Sequence, residues 1–161
     1  VIKKSLYNGL RFSSQKVMLE DYEILTSVFL KINRMVFIDN NLYFYRQNSN
    51  SITHNVNVEI ISENNITIAK REQMILEAYP DLLTAVKIGR AYRALSYLTF
   101  LRKICDDYEI KQKEQKNLRK YLYLFLLDED INIKKKLAAL LLSVNLRIYD
   151  TMLRLYSKEC F

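Results

Sequence analysis

Glu20 and Asp21 are adjacent carboxylates that open the apolar-periodic stretch after Leu19. A helix starting at such a pair turns its free N–H groups toward them, and its dipole favours their ionised form. Downstream, Tyr45-Arg46 closes an aromatic run, and the polar loop QNSNSITHNVN, residues 47–57, holds the single histidine, His54. A carboxylate at a helix start, near strand ends and a loop, has the chemistry of a general base. The same two acids are also ordinary capping charge, and the pair alone does not separate these readings. Arg46 suits paired oxygens, either of a donor phosphate or of a carboxylate such as Asp39. His54 has no partner visible in sequence, and from the residues alone it reads as a plain loop histidine.

Composition removes other chemistries. The 161 residues contain 2 Gly, 1 Pro, 2 Cys and 1 His, where average usage gives about 11 Gly and about 8 Pro. Gly9 and Gly89 lie too far apart for a Gly-rich phosphate loop. Cys105, Cys160 and His54 do not make a four-ligand zinc site. Asp128-Glu129-Asp130 has the letters of a metal motif, but it falls between helical patterns and reads as a solvated acidic turn. We therefore expect no metal site in this chain. Two widely spaced cysteines fit a reducing cytoplasm. The first residues, VIKKSLYNGL, carry neither an initiator Met nor a signal-peptide pattern, so the chain reads as a piece of something longer.

The elements that position these residues change character near residue 55. Residues 1–55 read as α+β. A helix over Lys16–Asn33 has Val17, Leu25, Val28, Phe29 and Ile32 near one face. Met35–Ile38 and Leu42–Tyr45, joined by Asp39-Asn40-Asn41, form a hairpin pattern. Residues 56–161 read as a helical bundle. Helices are expected over Val58–Tyr79, Asp81 to about Asp106, Glu109–Leu127 and Ile133–Lys158. Pro80 breaks the first, and Asn132 is the N-cap of the last. In the second, Leu82, Val86, Leu95, Leu98 and Leu101 form a stripe, and Gly89, Ala91 and Ala94 are small enough for close helix approach. The fold class is thus mainly α, with a short N-terminal α+β segment.

Residues 6–53 resemble the C-terminal half of bacterial family 2 glycosyltransferases of the GT-A type. Leu10-Arg11-Phe12 is similar to the family's "RF" segment, and Glu20-Asp21 to its catalytic "ED" pair. Phe37-Ile38-Asp39, Leu42-Tyr43-Phe44-Tyr45-Arg46 and Ser51-Ile52-Thr53 are similar to its closing segments. The resemblance covers about a third of the chain. It implies that residues 1–55 are the acceptor-side end of a GT-A catalytic domain and that Asp21 is the general base of an inverting sugar transfer. Glu20 would shape the site, with Arg46, Tyr45 and His54 as substrate-binding candidates. It also implies that the nucleotide-sugar and its divalent metal, Mg or Mn, are held by an N-terminal half upstream of residue 1. The 161 residues alone would then be inactive.

Net charge is +7, and it gathers at the ends. Residues 56–130 carry twelve basic and twelve acidic side chains, whereas residues 131–161 carry six against two. A neutral middle with no recognition motif argues against nucleic acid. Lys134-Lys135-Lys136 joins Leu137, Leu140, Leu141, Val144, Ile148, Met152 and Leu155 in a basic amphipathic pattern. Such a helix rests on an anionic membrane surface or packs on other helices or a second subunit. The expected location is cytoplasmic, with peripheral contact at the inner face of the membrane. The competing functional reading is a helical dimerisation or docking module with no catalytic role.

Overall fold

The computed structural model describes residues 2–12, 19–36, 39, 58–104 and 107–148. The described part is mainly helical. Its elements are a 3₁₀ turn Lys4–Tyr7, then α1 Glu20–Phe29, α2 Val58–Ala78, a 3₁₀ turn Pro80–Leu82, α3 Leu83–Ile104, α4 Tyr108–Leu127 and α5 Ile133–Val144. Two compact units meet in sequence at Pro80, the first spanning Val1–Pro80 and the second Asp81–Phe161. The boundary expected at 55/56 itself lies outside the described residues.

In the first unit, α1 packs against α2. Ile24 and Val28, one helical turn apart, are the buried apolar residues of α1, and Ile61 is that of α2. The expected face was different: Phe29 is exposed and Leu25 half-buried. The cause is length. A ten-residue helix that stops at Phe29 buries a narrow strip, so residues near its end look outward. In α2 the helix runs unbroken through Asn64 and Asn65, with Asn64 on the buried side. Among the described residues there is no strand, so the α+β segment is not observed. Met35 and Val36 are exposed and lie outside any helix or strand. A β-branched run forms a strand only when a neighbour takes its backbone hydrogen bonds. The other residues of the expected hairpin, 37, 38 and 40–45, lie outside the description.

The second unit has a core shared by three helices. Ala91, Ala94, Leu95 and Leu98 of α3, Leu118 and Phe125 of α4, and Ala139 and Leu142 of α5 form one buried cluster with Leu146. Arg90 reaches Tyr121, and the rings of Tyr92 and Phe125 lie 6.1 Å apart. Early α3 therefore meets late α4, and the two helices run antiparallel. The small residues act as expected at Ala91 and Ala94, which are fully buried. Gly89 does not, because it is exposed and an added Cβ would meet nothing within 4 Å. Leu82 is likewise exposed, because the 3₁₀ turn after Pro80 carries it off the α3 stripe.

Capping fixes the helix boundaries. Asp107 accepts hydrogen bonds from the backbone N–H groups of Glu109 and Ile110, at 2.8 and 3.3 Å, and so starts α4. Asn132 does the same for α5, accepting from the N–H of Lys135 at 2.9 Å. The acidic turn is bound to itself: Asp128 Oδ1 accepts from the N–H of Asp130 at 2.9 Å. The α5 helix stops at Val144, and residues 149–158 of the expected helix lie outside the described residues. At Asn145 the backbone leaves the helical region, with φ −154° and ψ 124°. Its side chain accepts from the N–H of Arg147 at 2.8 Å and caps a new turn over 146–148. Asparagine competes with the helix in this way because its short amide can bond nearby backbone.

Candidate functional site

The acidic pair sits where the chain enters α1. Glu20 is the first residue of the helix and Asp21 the second, with the Asp21 side chain exposed. Just before them, Leu19 adopts a left-handed conformation, φ 72° and ψ 25°. Among the described residues it is the one non-glycine with positive φ. A side chain in that region costs about 1–2 kcal/mol, so contacts elsewhere hold the chain in this approach. The Leu19 carbonyl accepts from the Tyr22 N–H at 3.0 Å, closing the first turn around the pair. Nothing in the sequence marks Leu19, since leucine has no preference for such a position.

Tyr22, the next residue, links this turn to α2. The Arg71 guanidinium lies over its ring, 5.0 Å from the centroid. One turn on, Thr26 Oγ1 donates to the Tyr22 carbonyl at 2.6 Å. The first turn of α1 is thus fastened on two sides, leaving the Asp21 carboxylate directed to solvent with helix N–H groups beside it. That arrangement leaves the carboxylate open to an incoming hydroxyl.

Arg11 and Phe12 of the N-terminal segment are exposed, as is Asp39. The side chain of Glu20 and the whole of Tyr45, Arg46 and His54 lie outside the described residues, so the structure does not bring them to Asp21 or separate them from it. Among the described residues, no three His, Cys, Asp or Glu side chains gather as a metal-ligand set.

The second unit has a separate open groove of about 490 Å³. Its floor is Leu95, Phe100 and Ala138, and its polar rim includes Ser96, Thr99, Lys134 and Lys135. Lys135 donates to the Tyr92 hydroxyl and stands over its ring, 4.6 Å from the centroid. On the other side of α3, Arg90 donates to the Tyr121 hydroxyl at 3.2 Å. That hydrogen bond pulls the Tyr121 phenol below its ordinary pKa, opposed by partial burial and reinforced by Lys120.

No protein-family model matches the chain, and no curated protein or solved structure matches it at a significant level.

Proposed function

We propose that this chain is the acceptor-side portion of an inverting glycosyltransferase that moves a sugar from a nucleotide-sugar to a saccharide or lipid-linked acceptor. Asp21 is its general base. One observation carries the reading: an exposed carboxylate at the second position of α1, in a turn fastened by Leu19, Tyr22 and Arg71. It is supported by the order Leu10-Arg11-Phe12, Glu20-Asp21, Tyr45-Arg46 and Ser51-Ile52-Thr53 in the sequence.

In the reaction, an acceptor hydroxyl oxygen attacks the anomeric carbon as the bond to the departing diphosphate breaks. The hydroxyl proton grows acidic as the new bond forms, and Asp21 takes it. Glu20 shapes the site, and Arg46, Tyr45 and His54 contact substrate. The nucleotide-sugar and its Mg or Mn ion belong to the preceding half of the enzyme, where the metal would offset the charge on the leaving group. The 161 residues by themselves are then inactive.

The test is Asp21→Asn in the full-length protein, with transfer and nucleotide binding measured together. Transfer should collapse while nucleotide binding is kept. Undiminished turnover removes Asp21 as the base. Robust transfer by the 161 residues alone contradicts the division of labour. Unimpaired assembly of a polysaccharide complex by the inactive variant, with no transfer in the parent, would favour the docking reading.

A further inference from the structure

A helix on the surface of a small unit needs one apolar face, turned to the core. The α5 helix has two. Its inner face is Ala139 and Leu142, both fully buried. Its outer face is Ile133, Leu137, Leu140 and Val144, which are 67%, 53%, 40% and 68% exposed. At 3.6 residues per turn these four fall within an arc of about 60°. Lys136 borders one edge of that arc and Lys134 the other. No carboxylate occurs between Ile131 and Ile148.

The lysines are also on the wrong end of the helix for internal stability. Lys134, Lys135 and Lys136 occupy the first turn of α5, where the dipole is positive. An anion over that turn would offset the charge of the lysines. An apolar arc edged by lysines fits a surface of acyl chains beneath anionic headgroups: the arc enters the apolar boundary and the lysines extend to the phosphates.

We propose that the outer face of α5 docks in the plane of an anionic lipid bilayer, peripherally. Among the described residues, no helix is long and apolar enough to cross a membrane. The assignment is independent of the catalytic role of Asp21, so either can fail alone.

Vesicle flotation of the 161-residue chain tests it, using phosphatidylglycerol–phosphatidylcholine mixtures against phosphatidylcholine alone. The chain should float with the anionic vesicles, stay behind with the neutral ones, and lose binding as salt rises. Lys134→Gln with Lys136→Gln should weaken binding roughly 30-fold, about fivefold for each lysine. Leu140→Ser with Val144→Ser should also weaken it while helicity by circular dichroism is kept, since both side chains are already exposed. Failure to float with anionic vesicles at low salt overturns the proposal. So does unchanged binding by either double variant. A dimer in solution that the Leu140→Ser, Val144→Ser variant dissociates, without vesicle binding by the parent, assigns the face to a second copy instead.

Discussion

In Val1–Pro80 the ten-residue α1 buries Ile24 and Val28 against α2, and Asp21 sits exposed at its start. In Asp81–Phe161 three helices close over Leu98, Leu118, Phe125 and Leu142, all fully buried. Among the described residues, the unit with the acidic pair has the fewer buried apolar side chains. The unit with the core presents lysines and an apolar stripe in place of a catalytic motif. A site that must admit an acceptor needs open carboxylate and little cover, whereas a platform needs packing. The contrast predicts that core substitutions in the second unit act on stability, and that Asp21 acts on chemistry.

The largest stability effect should come from Phe125→Ala. Removing a fully buried ring from the three-helix core should cost about 3–5 kcal/mol, read as a lower denaturation midpoint. Val28→Ala in the first unit should cost about 1.5 kcal/mol, the worth of two methyl-sized groups. Equal losses would break the contrast between the two units.

Next in size is a cap. Asn132→Ala removes the bond to the Lys135 N–H at the start of α5. It should cost about 1 kcal/mol, with hydrogen exchange rising first in the opening turn of α5. A uniform rise across α3 and α4 would mean that the opening turn of α5 unfolds only together with the whole three-helix unit. The smallest effect is a gain. Gly89→Ala fills space that is empty within 4 Å, in the middle of α3. Helix propensity alone should then raise stability by up to about 1 kcal/mol. A loss would show that something does approach Gly89.

Much of the helical order after residue 57 is legible in sequence because local signals decide it. Pro80 stops α2, Asn132 caps α5, and the spacing of Leu95, Leu98 and Leu101 gives the buried face of α3. Where tertiary contacts decide, the pattern misleads. Leu137, Leu140 and Val144 have the spacing of a buried stripe, yet Ala139 and Leu142 face the core. Alanine at 139 lets α5 come close, and Gln115 and Arg119 of α4 hold its end. Gln115 Nε2 donates to the Leu142 carbonyl at 2.6 Å and Arg119 Nε to the Ser143 carbonyl at 2.5 Å. Arg119 Nη2 donates to the Val144 carbonyl at 3.3 Å. These bonds meet carbonyls that a helix ending at Asn145 leaves open. That ending was itself written in the asparagine, but the leucines around it hid the signal.

At the candidate site the position of the acidic pair at a helix start was legible from two carboxylates before a periodic stretch. The left-handed Leu19 was not, since backbone strain at a leucine leaves no mark in composition. Nor was Arg71 over Tyr22, a contact between residues far apart in sequence.

The role of Asp21 is decided by sugar transfer in the full-length protein, with Asp21→Asn and Glu20→Gln compared side by side. Asp21→Asn should lose about 10²–10⁴-fold, the range a general base contributes, and Glu20→Gln clearly less. The reverse ranking, or full activity in Asp21→Asn, would contradict that role.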